Sequence, residues 1–408
     1  MSLEKEIKEM VKDVTQWRRD LHENPETAFE EFRTADIVAE KLKEWGIETH
    51  QNIGRTGVVG VLKGRKNTSG KTIGLRADMD ALNIDENNKF SHVSKTCGKM
   101  HACGHDGHTA MLLGAAKYLA QNPDFDGTVN FIFQPAEEGG GGADVMIKDK
   151  LFEKFPCDEV YALHNWPDMK VGEIGVAGGP VTASSDRFKI TIKGKGGHAA
   201  FPHKHIDSIA IGSTISLALH AVVSSNTNPL DGALVSVTKF HGGVSTNAMP
   251  EVVELEGTVR CFNPETRLAL EEQIQKVAQG IALGYGAVAE VEYTRNYPSV
   301  VNTEDKVEFI KKVAAKTVGE KNVLNFRPTM GSEDFAFMLQ KKPGVYIALG
   351  QADADHNEGL HSPRYDFNDA VIPHGIKYWV TLAKEALPLN AKAPAQSPKK
   401  QKKPAASA

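Results

Sequence analysis

Cysteine is scarce: four residues, Cys97, Cys103, Cys157 and Cys261, in a chain of 408. That is too few for a disulfide framework, and a reducing, cytoplasmic setting is expected. No run of eighteen consecutive apolar residues occurs, which argues against a membrane span. The opening MSLEKEIKEM has no apolar stretch, so no secretory leader is expected. Neither sign of charge is in excess. Lys+Arg number 48 against 52 Asp+Glu, a formal net charge of −4. Neither nucleic acid nor a membrane is therefore an expected partner. The length exceeds one small core and suits two domains. Histidine is what the chain has in quantity: 15 residues, several beside acids.

Short apolar runs at 58–62, 72–75, 128–133, 159–163 and 345–349 alternate with helical patterns. One such helix is HDGHTAMLLGAAKYLA, with Met111, Leu112, Ala115, Ala116 and Leu119 at helical spacing. Strands alternating with helices predict an α/β domain with a mainly parallel sheet. The middle of the chain has a different rhythm. Phe188, Ile190 and Ile192 alternate with Lys189, Thr191 and Lys193, and Val253, Leu255 and Val259 alternate with polar residues. A period of two marks half-exposed antiparallel strands. With helices near 207–224 and after Asn263-Pro264, the order is β-α-β-β-α-β, the split βαβ, ferredoxin-like arrangement. The expected division is a discontinuous domain, 1–183 and 297–391, with an inserted α+β domain at 184–296. The Pro-, Ala- and Lys-rich tail, 392–408, is expected to be disordered.

Five clusters carry chemistry. His101, Cys103, His105, Asp106 and His108 crowd the start of the helix. One such residue alone is ordinary packing, but together they suit zinc or a neighbouring transition metal. Glu137 and Glu138 follow the apolar strand TVNFIF, His164 follows EVYAL, Asp78 and Asp80 follow TIGL, and His361 lies in a late loop. Ligands gather at the carboxyl ends of strands in open α/β sheets. Cys103, His105, Glu138, His164 and His361 exceed the four ligands of a closed structural zinc and suit two ions about 3.5–4 Å apart. The paired glutamates divide the work, one binding and its neighbour acting as base.

The strings WRRDLHENPETAFEE, RADMDAL, HACGHDGHTAMLLGAA, FQPAEEGGGGADVMI, LHNWP, GKGGHAAFPH, GGVSTNAMPE, GTVR, MGSEDFAF and GLHSPRYDFND occur in this order. Together they resemble the amidohydrolase branch of the aminoacylase/carboxypeptidase metallopeptidase clan, over roughly residues 10–388. The resemblance implies a dinuclear metallopeptidase domain with an inserted lid and dimerisation domain. It implies Cys103, His105, Glu138, His164 and His361 as ligands of two divalent ions (zinc, manganese, cobalt or nickel). It implies Glu137 as general base and Asp80 as an acid orienting a ligand histidine. It implies His198 as an oxyanion donor to the partner subunit's site in a homodimer, and Asn247 and Arg260 as substrate contacts. Asp78 stands where relatives carry a ligand histidine, and Cys103 supplies the replacement.

The expected activity is hydrolysis of the amide bond of small N-acyl amino acids, hippurate-like or N-acetyl. N-acetyl-diaminopimelate deacetylation and dipeptidase or carboxypeptidase action by the same mechanism are the alternatives. A thiol hydrolase using Cys103 with His105 is a poor rival, because one turn carrying both supplies no separate oxyanion site. A binding protein without catalysis is disfavoured by the complete residue set. The acyl pocket is expected near 180–185 and 327–340.

Overall fold

Apolar side chains alternate between two layers along the central strands of the computed structural model, which describes residues 2–389. In Thr128–Gln134, Val129, Phe131 and Phe133 enter one hydrophobic cluster and Ile132 the other. In Gly344–Ala352, Val345, Ile347 and Leu349 face the first cluster, and Tyr346 and Ala348 the second. A strand buried on both faces reads as a continuous apolar run, which is why these runs lacked polar alternation. The eight-stranded sheet runs Glu48–Ile53, Gly57–Lys63, Thr128–Gln134, Thr72–Asp78, Glu159–Lys170, Gly344–Ala352, Ile174–Val176, Val323–Asn325. The strands that end at the acid and histidine clusters are parallel. Helices Leu3–Glu23, His105–Gln121 and Ile372–Ala386 pack together over one face.

The middle segment forms its own sheet, ordered Ala233–Gly242, Val252–Cys261, Ser185–Lys193, Val288–Tyr297, with every neighbour antiparallel. Phe188, Ile190, Ile192, Val253 and Leu255 bury against Ile211, Ile215 and Leu219 of helix Ser208–Asn226 and Leu270 and Ile274 of helix Pro264–Gly284. Asp207 and Asn263 cap these helices by accepting from Ala210 N–H and Glu265 N–H. The result is the mixed, mainly parallel α/β sheet with a separate small antiparallel sheet that the alternation predicts.

Two local expectations are corrected. His164 does not follow its strand but stands inside it. The ladder continues to Lys170 because Gly344–Ala352 keeps pairing beyond it, with Ala348 opposite His164 and Gly350 opposite Trp166. Backbone pairing does not depend on apolar side chains, so the end of the apolar run understated the strand. Helix Ser208–Asn226 is by length and mean hydropathy apolar enough to cross a membrane. Its Ser, Thr, Gly and His residues break the run and hide it from a search for consecutive apolar residues. One third of it is buried, against the small sheet. The tail at 392–408 lies outside the described residues.

Candidate metal centre and active site

Register brings the clusters together. Asp78 pairs with Gln134 across one strand boundary, and Arg76 with Ala162 across the next, so Asp78 and His164 each stand two residues beyond a paired position. Past Gln134 the chain turns with Ala136 at φ 52. Three consecutive amides are then gripped by two buried carboxylates. Ala136 N–H donates to Glu31 (2.9 Å), Glu137 N–H to Asp80 Oδ1 (3.0 Å) and Glu138 N–H to Asp80 Oδ2 (2.9 Å). Tyr297 OH donates to the Glu137 carbonyl (2.6 Å) and accepts from Gly141 N–H (2.9 Å). The backbone of Glu137 is fixed at both ends, while its carboxylate makes no hydrogen bond among the described residues and lines a cavity.

The histidines are oriented by acceptors. His105 Nδ1–H donates to the Asp80 carbonyl (2.8 Å) and His164 Nδ1–H to the Asn165 carbonyl (2.8 Å). A carbonyl only accepts, so each Nδ1 carries a proton and each Nε2 is the ring nitrogen left to face a cation. His105 Nε2 is buried with no hydrogen-bond partner among the described residues, 3.7 Å from Asp78 Oδ2, and His164 Nε2 lies 3.4 Å from Cys103 Sγ. Gly104, at φ 97, allows the turn between Cys103 and His105; a Cβ there would meet Asn165 Oδ1 at 2.2 Å. His361, itself at φ 64, donates its N–H to the Ala102 carbonyl (2.7 Å), which pins the late loop beside Cys103. Its Nε2 is 3.0 Å from Glu138 Oε1, an atom that has no hydrogen-bond partner. His108 is different. Both its ring nitrogens are taken, Nδ1 by Asp78 (2.6 Å) and Nε2 by Asn165 (2.6 Å), so it is a support and not a free donor.

The charge balance points the same way. Asp78, Asp80, Glu137, Glu333 and Asp334 are buried and Glu138 half-buried, around one fully buried guanidinium, Arg76. Arg76 bonds Asp78 (2.7 Å), Glu333 (2.9 Å) and Asp334 (3.2 Å). Burial, then Glu333, Glu138, Asp334 and Asp80, push the Glu137 carboxyl well above the usual range. Burial and the carboxylates of Glu138, Glu137 and Asp78 likewise push the Cys103 thiol up, which leaves it a poor nucleophile. Burial opposes charge on His105, yet Asp78 and Asp80 raise it to about 10. The acids call for positive charge at this spot. Ligand atoms of Cys103, Glu138 and His361 lie within 4.8 Å of one another, as do those of Asp78, His105, His108 and His164, and those of His105, Glu137 and Glu138. A sulfur, the Nε2 atoms of His105, His164 and His361 and a carboxylate shared between groups fit two transition-metal cations.

Cys103, Glu137, Glu138, His164 and His361 open onto a cavity of about 730 Å³ between the two sheets. Arg260, bonded to Ser332 Oγ (3.0 Å), lines its far wall with Thr182, Ser185 and Thr329. These last segments are where the acyl pocket was expected. His198 and Asn247 are not brought there. They sit side by side on the ribbon of Gly197–His198 and Ala248–Met249, exposed and outside the cavity of their own chain. Asn247 Oδ1 accepts from Ser245 instead, so a substrate contact within one chain is not what its position provides. Sequence reasoning missed Glu333, Asp334, Tyr297 and Glu31, and it gave Arg76, which heads the cluster after TIGL, no role. Buried ions paired across 257 residues look like solvated charge in one dimension; the signal was only that Arg76 interrupts an apolar strand.

The sequence pattern of peptidase family M20/M25/M40 matches residues 74–385. The chain is similar to a hippurate hydrolase of Campylobacter jejuni, 42% identical over 384 residues, covering 94% of this chain and 99% of that one. It is 41% identical to an N-acetylcysteine deacetylase of Bacillus subtilis, covering 90% and 94%. Among solved structures it resembles a dinuclear metal-binding peptidase of the M20 family from Bacillus subtilis, with a TM-score of 0.81 and 37% identity over 93% of this chain and 99% of that chain.

Proposed function

The chain belongs to peptidase family M20/M25/M40 and is a metal-dependent amidohydrolase, and from that premise we propose that it cleaves N-acyl amino acids to a carboxylic acid and a free amino acid. The substrates named for its relatives, hippurate and N-acetylcysteine, support this class. Cys103, His105, Glu138, His164 and His361 would hold two divalent ions, which supply Lewis acidity and a water made acidic near neutral pH. A thiol ligand suits the reducing, cytoplasmic setting expected of the chain.

The carrying observation is Glu137, a buried carboxylate whose backbone is clamped and whose oxygens have no partner. It takes the proton of the attacking water and returns it to the leaving amine. Asp80 positions both this base and His105. Arg260 holds the substrate's carboxylate on the opposite wall. His198 and Asn247, exposed on their ribbon, reach the site of a second copy in a homodimer, where His198 donates to the oxyanion. The apolar residues left exposed on the small domain, Leu217 and Val244 among them, support such an interface. Metal-loaded Glu137→Ala is expected to lose about 10²-fold or more in kcat on hippurate with its thermal midpoint nearly unchanged. Wild-type turnover in that variant would remove Glu137 from the mechanism.

A further inference from the structure

The helix-free face of the small sheet carries a row of charges. Its cations are matched with carboxylates except at one end. Lys189 pairs with Glu254 (2.7 Å), Lys193 with Glu290 (2.5 Å) and Lys239 with Glu256 (2.9 Å). Arg187 and Arg260 stand on the same face where it meets the cavity, and neither has a carboxylate partner among the described residues. Among the described residues the Arg260 side chain bonds only Ser332 Oγ, and the Arg187 side chain has no hydrogen-bond or ion-pair partner. Asp186, the nearest acid in sequence, is spent on the other face. It accepts from Arg267 (2.5 and 2.8 Å), Tyr293 OH (2.9 Å) and Asn296 N–H (3.1 Å). Asp168 also lines the cavity but pairs with neither arginine.

Register makes the two arginines a pair. Arg187 lies opposite Thr258 in the neighbouring strand, so Arg260, two residues on, is its diagonal neighbour. Diagonal residues on one face are about 7–8 Å apart, within reach of long side chains. Two like charges so placed, in a sheet that neutralises its other cations, are costly unless an anion completes them. Arg260 already answers the single carboxylate of an ordinary N-acyl amino acid, so Arg187 is one cation more than that substrate needs. A second anionic group beside the first belongs to the same amino-acid half of the substrate, because the two arginines are neighbours on one sheet face. We infer that Arg187 is a specificity-determining residue and that the substrate is the N-acyl derivative of a dicarboxylic amino acid, aspartate or glutamate. This rests on the N-acyl amino acid reading of the site.

The test compares kcat/KM of the manganese- or zinc-loaded full chain on N-acetylglutamate, N-acetylglutamine, N-acetylmethionine and hippurate. Wild type is expected to favour N-acetylglutamate over N-acetylglutamine by about tenfold or more at low salt, with the ratio shrinking as salt rises. Arg187→Met should bring that ratio toward one and Arg187→Lys should keep part of it. A wild-type ratio of one or less overturns the inference without any variant, and so does an unchanged ratio in Arg187→Met. Hydrolysis of hippurate and N-acetylmethionine without preference for glutamate sinks the dicarboxylic substrate alone. No hydrolysis of any of the four removes the broader reading and this inference with it.

Discussion

Glu31 lies outside the cavity yet holds the turn that presents Glu137. It accepts from Ala136 N–H and from Thr56 OH (2.5 Å) in a fully buried position. Burial pushes its carboxyl up to about 7, against the pull of Thr56 and with the help of Asp80. The folded chain thus binds this proton more tightly than the unfolded chain. The stability it contributes is full below an ordinary carboxyl value near 4.5 and is lost as pH rises to about 7. Glu31→Gln, which has no such proton to lose, should gain in thermal midpoint relative to wild type between pH 4.5 and 7.5. A constant difference across that range would count against the assignment. Residues of this kind were illegible in the sequence. Cys103, His105, His164 and His361 stand out in the sequence because cysteine is rare and histidine beside acids has few structural roles. Glu31 and Glu333 carry side chains that nearly always face water, and only the fold reveals that these two do not.

At the scale of elements, the turn into helix His105–Gln121 is the tightest constraint on the centre. Gly104 lies between Cys103 and His105, and Asn165 fills the space a side chain would need. Asn165 in turn holds His108 and donates to Tyr365 OH (2.7 Å) and Gln351 (3.1 Å). Gly104→Ala therefore cannot be relieved by one moving side chain. It is expected to cost at least about 2 kcal/mol and to lower bound metal per chain. Calorimetry with metal analysis would check this, and a midpoint within about 1 °C of wild type would refute it. Element types were legible because their periods differ: runs buried on both faces at 128–133 and 345–349, strict alternation at 186–193. Strand ends were less so. The Glu159–Lys170 strand outran its apolar stretch because its neighbour, not its side chains, decides where pairing stops.

For the whole molecule, the separation of Glu137 from His198 has a direct experimental handle. If a site needs Glu137 of one chain and His198 of the other, two inactive variants complement each other. Mixing Glu137→Ala and His198→Ala homodimers through a dissociation step should restore roughly a quarter of wild-type activity, because half the dimers are mixed and each has one intact site. No recovery, with mixed dimers verified by mass spectrometry, would place His198 in its own chain's site or in none. The cavity is walled by both sheets, with Arg260 of the smaller one facing the acid and histidine cluster of the larger. The chain crosses between them near 183–185 and 297–299, and the second crossing begins at Tyr297, whose hydroxyl grips the carbonyl of Glu137. That one hydrogen bond ties the last strand of the smaller sheet to the main chain of Glu137, so any displacement of the strand would be felt there first.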